Sequence, residues 1–210
     1  GEGGIRIASN QFIEKLDELR KKYGFVLVAD EVQSGIGRTG KPFAYNHFNI
    51  EPDLVIVAKA IGGGLPLGAL ITNKKYSDVF HPGDHGSTFG GNPLACAVAA
   101  KSIDLLLEGQ WQARVMAIES HFAATLPALR ELPAVADVRW FGAIGVVETR
   151  HPIDVAAVQS ALVDRGVWLQ ASDQRIKQQQ ILNRIAKRIT DQRVIIGKEA
   201  EPRTGVNRFS

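Results

Sequence analysis

The spacing of apolar residues divides this chain into short helices and strands. Over 10–23, Phe12, Leu16, Leu19 and Tyr23 fall on one helical face, Ser9 or Asn10 can cap the start and Gly24 can stop it. Two short apolar runs follow, Phe25-Val26-Leu27-Val28-Ala29 and Leu54-Val55-Ile56-Val57-Ala58, and these read as buried strands. Helix followed by strand predicts a βαβ arrangement and a parallel sheet. Leu67–Thr72, entered through Pro66, reads as a further strand. Residues 34–52 form a polar, glycine-containing connection, 81–92 a glycine-rich loop, and Pro93 opens a helix of small and apolar residues through Leu107.

The second half has a different texture. An amphipathic helix over 110–130 ends at Leu132-Pro133. Strands are expected at about 135–139 and 142–148, a helix near 154–165, and a short strand at Val167–Leu169, together a small α+β unit. Ile181, Ile185 and Ile189 predict a narrow apolar stripe on a helix within 174–196. No internal repeat is visible.

Composition narrows the class. Hydrophobic content of 45% and charged content of 22% are those of a globular protein, and no apolar stretch reaches membrane-spanning length. Residues 1–4, Gly1-Glu2-Gly3-Gly4, are no signal peptide. The single Cys96 excludes an internal disulfide framework and fits a reducing cytoplasm. The net charge of +3 is uneven: residues 174–210 hold nine Lys/Arg against three Asp/Glu, and the rest hold sixteen against nineteen. With one aromatic, Phe209, and no nucleic-acid-binding module, the basic tail reads as a solvated terminal helix.

Against this background Lys59 stands out. It ends the second apolar run and precedes Gly62-Gly63-Gly64, where a ligand can approach the backbone closely. The first run ends 29 residues earlier in Asp30. Each residue alone has an ordinary reading, as a solvated strand end or a turn former. Together they are an acid and a lysine delivered to one sheet edge, as pyridoxal phosphate chemistry requires: the lysine for a Schiff base, the carboxylate to keep the pyridine nitrogen protonated. His85-Gly86-Ser87-Thr88-Phe89-Gly90-Gly91-Asn92-Pro93 adds hydroxyls and flexible backbone before a helix N-terminus, suited to a phosphate or to an ordinary cap.

Two other patterns carry less. Gly35-Ile36-Gly37-Arg38-Thr39-Gly40 matches G-x-G-x-x-G, but Asp30–Ser34 separates it from the strand and Lys41-Pro42-Phe43 follows it, so it reads as a loop beside Gln33. His81 and His85 are four apart, yet Pro82 and Gly83 forbid the helix that would align them, and no metal is expected. His47, His121 and His151 are isolated.

Four motifs in order, Gly1-Glu2-Gly3-Gly4, Asp30-Glu31-Val32-Gln33-Ser34-Gly35 with Arg38-Thr39-Gly40, Ala58-Lys59-Ala60, and His85-Gly86-Ser87-Thr88 with Gly91-Asn92-Pro93-Leu94, resemble the class III (omega-amino) aminotransferases over about residues 1–170. The resemblance implies an α/β chain holding part of the type I pyridoxal-phosphate fold, mostly parallel, with part of a small C-terminal α+β domain, assembled as a homodimer in the cytoplasm. It implies residues 1–108 in the cofactor-binding domain, 109–133 as connector, 134–170 in the small domain and 171–210 as a tail outside the family pattern. Lys59 would be the Schiff-base lysine and proton shuttle, and Asp30 the partner of the pyridine nitrogen. Glu31, Val32, Gln33 and Thr88 would complete the cofactor contacts, with Val32 on the ring, Gln33 near its phenolic oxygen and Thr88 on the phosphate of the other subunit. Ser87 and Glu2 would face substrate, Glu2 as a gate.

Residues 1–107 resemble acetylornithine and ornithine aminotransferases, whereas 109–169 resemble the biotin-pathway 7,8-diaminopelargonic acid aminotransferase. The implied reaction is amino transfer from an omega-amine such as N-acetylornithine to 2-oxoglutarate, with the biotin-pathway reaction as alternative. The glycine/serine phosphate loop, the ring-stacking aromatic and the substrate arginine of the family are not identifiable. Fragment, fusion and replaced end therefore stay open, as does a truncated, non-catalytic paralogue that only dimerises. These 210 residues alone are expected to lack full competence.

Overall fold

The computed structural model of the chain describes residues 5–79, 81, 83, 84 and 86–168. Glu2, His85, Leu169 and the helix expected at 174–196 lie outside the described residues. Close contacts divide the chain into two units, Gly1–Arg130 with Asp137–Glu148, and Glu131–Ala136 with Thr149–Ser210.

In the first unit, helix α1 spans Asn10–Tyr23. Ser9 Oγ accepts the Phe12 N–H at 3.2 Å, and Gly24, at φ 69°, donates to the Arg20 carbonyl at 2.8 Å, so both ends carry the caps expected of those residue types. Arg20 also donates to the Glu51 carbonyl at 2.7 Å and lies 3.3 Å from Asp53 Oδ2, which accepts the Leu27 N–H at 2.9 Å. Asp53 thus fastens α1 to the start of both apolar runs.

Those runs become β1 (Val28–Asp30) and β2 (Leu54–Val57), which pair in parallel, Val28 with Leu54 and Asp30 with Ile56. The third strand, β3 (Ala69–Thr72), pairs antiparallel on the other side of β2, Leu54 with Thr72 and Val57 with Ala69. A parallel return needs a crossover of a dozen or more residues, usually helical, and 58–68 supplies only a 3₁₀ turn at Lys59–Gly62. β3 is therefore the antiparallel member of a sheet expected to be mostly parallel.

Side chains of paired residues share a face. Val55 and Val57, with Ala29 and Ala69 beside them, pack with Ile61 and with Ala99 of helix α2 (Pro93–Glu108). The opposite face carries Val28, Ile56 and Leu70, which are 46%, 36% and 50% exposed, so the strands are buried on one face only. Asn92 Oδ1 caps α2 through the Ala95 N–H at 3.1 Å, with Pro93 in the first turn. Helix α3 (Trp111–Thr125) follows, then a 3₁₀ segment, Leu126–Glu131.

Strands β4 (Val135–Phe141) and β5 (Ile144–Thr149) form a hairpin whose outer part belongs to the first unit. In the second unit, helix α4 (Val155–Val163) is capped by Asp154, which accepts the Ala157 N–H at 3.1 Å. Val158 and Leu162 bury there with Ile153 and Val167. Val167 and Trp168 are not part of a strand; the Val167 N–H bonds the Leu162 carbonyl at 2.9 Å instead.

No helix among the described residues is long and apolar enough to cross a membrane.

Candidate active site

Because β1 and β2 are parallel, their carboxyl ends open on the same sheet edge, where ligands of such sheets bind. Asp30 closes β1 beside Ile56, and Lys59 lies two residues beyond the end of β2. Asp30 is exposed; its Oδ1 accepts the Val32 N–H at 3.1 Å. The strand-to-loop exit is fixed by the Glu31 N–H, which donates to the Ile56 carbonyl at 2.8 Å.

Lys59 has φ +49°, a left-handed conformation that costs a residue with a Cβ of the order of 1–2 kcal/mol. Packing imposes it. Ile61 is anchored in the Val55/Val57/Ala99 cluster, and its N–H bonds the Ala58 carbonyl at 3.3 Å. Gly63, at φ 56°, lies against α2 so closely that a Cβ would stand 2.8 Å from Val98 Cγ1. The turn is therefore pinned, and the lysine stands exposed at the edge with no hydrogen-bond or ion-pair partner among the described residues. Backbone strain held by its surroundings gathers at functional positions.

Glu31 is 3% exposed and turns away from that edge. Its Oε2 accepts Ser34 Oγ at 2.5 Å and the Ala44 N–H at 3.0 Å, and its Oε1 accepts the Tyr45 N–H at 2.9 Å. With both oxygens accepting these bonds, Glu31 anchors the loop carrying Val32 and Gln33 to the 3₁₀ turn Ala44–His47. Val32 and Gln33 are half-buried in the turn that follows Asp30.

The G-x-G-x-x-G segment is a packed loop. A Cβ on Gly37, at φ 84°, would stand 2.9 Å from the Trp111 ring. Thr39 is 2% exposed and contacts His47 Nε2 at 3.1 Å. His47 in turn lies 4.6 Å from the Phe141 ring centroid. The parts of Trp111 and Thr39 in this packing are not readable in the sequence, where 35–40 reads only as a loop beside Gln33.

Ser87 and Thr88 lie in an exposed turn closed by the Gly90 N–H on the Ser87 carbonyl at 3.1 Å. No hydrogen bond joins them to Asp30 or Lys59 among the described residues. His81 bonds Asp84 through its backbone N–H at 2.8 Å, and no group of three or more His, Cys, Asp or Glu among the described residues is placed to hold a metal ion.

The sheet edge thus presents an exposed lysine and an exposed acid beyond the ends of two parallel strands. The class-III aminotransferase family model matches residues 1–186, past Leu169 where the motifs cease to be legible, and the chain belongs to that family. It is 40% identical over 170 residues to the acetylornithine aminotransferase of Methanothermobacter thermautotrophicus, covering 80% of this chain and 43% of that protein. It is 38% identical over 175 residues to the adenosylmethionine-8-amino-7-oxononanoate aminotransferase of Buchnera aphidicola, covering 80% and 41%. The ornithine aminotransferase structure from Plasmodium yoelii superposes with a TM-score of 0.78 at 29% identity, covering 91% of this chain and 54% of that one. The chain thus spans about half or less of the length of these relatives. Class III aminotransferases use pyridoxal phosphate.

Proposed function

We propose that Asp30 and Lys59 are the cofactor-handling pair of a pyridoxal-phosphate-dependent transamination. The observation that carries the reading is the parallel β1–β2 pairing, which gives both residues the same sheet edge, with Lys59 strained, exposed and without a hydrogen-bond or ion-pair partner among the described residues. The residues fit the cofactor. Asp30 keeps one carboxylate oxygen clear of its bond to Val32 and can accept a pyridinium N–H. Lys59 Nζ can bond covalently to an aldehyde carbon and, when displaced, move the proton from the donor carbon. Val32 would pack on the ring, Gln33 would lie near its phenolic oxygen, and Thr88 would hydrogen-bond the phosphate bound in the other subunit of a homodimer; Ser87 and Glu2 would face the substrate. Bound pyridoxal phosphate supplies an electron sink and a carbonyl that carries the amino group.

In this reading residues 1–108 belong to the cofactor-binding domain of the type I fold, 109–133 connect, 134–170 belong to the small domain, and 171–210 form a basic tail of a cytoplasmic enzyme. The donor is an omega-amine such as N-acetylornithine, with 2-oxoglutarate as acceptor; the likeness to the acetylornithine enzyme supports it. The comparable likeness to the adenosylmethionine-8-amino-7-oxononanoate aminotransferase supports 7,8-diaminopelargonic acid synthesis as a second reading.

Borohydride reduction of the cofactor-loaded full gene product tests the site. The label belongs on the peptide containing Lys59, and a label on Lys41, Lys74 or Lys75 would overturn the assignment. Asp30→Ala in the same protein should lose at least a hundredfold in turnover, about 2.7 kcal/mol of barrier. Half-reactions with each donor then separate the two substrates, and no half-reaction with any amine would favour a non-catalytic paralogue.

A further inference from the structure

We propose that Glu31 is a positioning residue for Asp30, holding in place the Val32 N–H that sets the direction of the Asp30 carboxylate. This rests on the transamination reading above and adds a residue to it. Asp30 is exposed at the end of β1, so packing alone leaves its side chain free to turn among staggered rotamers. The bond that selects among them runs from the Val32 N–H to Asp30 Oδ1 at 3.1 Å. Where that N–H points depends on the loop, and Glu31 fixes the loop by both backbone and side chain. Its N–H donates to the Ile56 carbonyl at 2.8 Å, and its carbonyl accepts the Gly35 N–H at 2.9 Å, closing the turn around Val32. Gly35 lies so near that a Cβ there would stand 2.8 Å from the Glu31 carbonyl oxygen and 3.0 Å from Glu31 Cβ.

The buried carboxylate then ties this turn to a second one, accepting from Ser34 on its own loop and from the Ala44 and Tyr45 N–H groups. The second turn is itself seated. Tyr45 stacks on Phe43 with 5.4 Å between ring centroids, and both pack on the Val55/Val57 cluster. Val32 is thus held between β2, through Ile56, and a turn resting on side chains of the same strand. An aspartate gripped at one oxygen presents the other in a constant direction, and a hydrogen bond weakens steeply off line. An acid free to swing spends part of its time out of line with a ring N–H. Both Glu31 oxygens accept protein donors, so its influence reaches the site through the chain.

The test uses the full gene product loaded with cofactor, as wild type, Glu31→Gln, Asp30→Ala and the double variant. Glutamine keeps one acceptor oxygen, and Ser34→Ala, which removes one bond to Glu31 Oε2, serves as a milder second variant. Glu31→Gln should lower kcat about tenfold in the wild-type background and less than twofold in the Asp30→Ala background, because a residue that acts through another does not add to its loss. Ser34→Ala should show the same pattern at about threefold. A tenfold loss in both backgrounds, as a general structural role or a direct cofactor contact of Glu31 gives, overturns the proposal, and so does no loss in either. Hydrogen exchange, followed without substrate, judges the hold separately. The peptide covering 31–36 should exchange at least tenfold faster in Glu31→Gln, with that covering 54–57 unchanged. Unchanged exchange at 31–36 overturns the hold on Val32, and faster exchange in both peptides shows a general structural role instead. Full turnover in Asp30→Ala overturns the functional reading and the positioning role with it, while the exchange data still judge whether Glu31 fixes the loop.

Discussion

Gly142 rests on the backbone of Thr39 so closely that a Cβ at Gly142 would lie 2.5 Å from Thr39 Cα and 2.8 Å from the Arg38 carbonyl oxygen. The Gly142 N–H also donates to Glu119 Oε1 at 3.0 Å, and the Ala143 N–H to the Arg38 carbonyl at 3.0 Å. The tip of the β4–β5 hairpin thus holds the loop that descends from Asp30 through Gln33. At φ +55° the position is also left-handed. Gly142→Ala combines backbone clash with that conformational cost and should destabilise the protein by about 2–4 kcal/mol. Urea unfolding measures it, and a loss below about 0.5 kcal/mol would show that the loop yields without cost.

Glu31 supports the same loop from within. Glu31→Ala strips the acceptor from the Ala44 and Tyr45 N–H groups and from Ser34, and bonds to a charged acceptor contribute about 1.5–3 kcal/mol each. The bonds act together, so an overall loss of about 3–5 kcal/mol is expected. Glu31→Gln keeps one acceptor oxygen and presents an NH₂ to the remaining donors, giving a smaller loss. If Glu31 touched the cofactor instead, the Gln variant would shift the cofactor's absorption maximum at full stability, and that pattern would contradict the anchoring role.

Much of this was legible in the sequence because it is local. Ser9, Gly24 and Pro93 announce helix ends, and the observed bounds of α1 and the start of α2 follow them. The start of β1 was less so: the run Phe25–Ala29 is apolar throughout, so no alternation marks where pairing begins, and it begins only at Val28. The reversal at β3 was recoverable from the length of 58–68. The supports of the site were not. Glu31 looked like one more polar member of the Asp30–Gln33 motif, and only its burial and its bonds to Ala44 and Tyr45 separate anchor from contact. Elsewhere in the first unit, the bond from Arg139 Nε to the Ile5 carbonyl spans most of the chain, a separation at which residue patterns carry no information.

His47 makes stability depend on pH. Burial, and then the positive charge of Lys41, hold its pKa below the ordinary 6.5, against an opposing hydrogen bond to the Thr39 backbone and the carboxylates of Glu119 and Glu31. The unfolded chain therefore binds this proton more readily than the folded one. The contribution is complete above pH 6.5 and is lost as pH falls through 6.5 toward the lower folded value. His47→Gln keeps a partner for Thr39 and removes the titration. Its unfolding free energy should fall less than that of wild type between pH 7.5 and 5, and parallel curves would remove His47 from the account.

Lys59 lends itself to a comparison that separates chemistry from strain. Both Lys59→Ala and Lys59→Gly remove the amine, so neither should take a borohydride label at this position or turn over. They differ in backbone. Alanine at φ +49° keeps the left-handed cost, of the order of 1 kcal/mol or more, whereas glycine adopts that conformation freely. Glycine also gives the unfolded chain more freedom, an opposing effect of about 0.4–1 kcal/mol, which a left-handed position outweighs. Lys59→Gly should therefore be the more stable of the two by several tenths to about 1 kcal/mol, read as the difference in urea midpoint at equal slope. The anchoring of Ile61 and the close approach of Gly63 to Val98 hold the turn whichever residue stands at 59, so the conformation should persist in both variants. An alanine variant equal to or more stable than the glycine variant would show that the turn relaxes when the lysine is lost. The strain would then belong to the lysine and not to the packing beneath it.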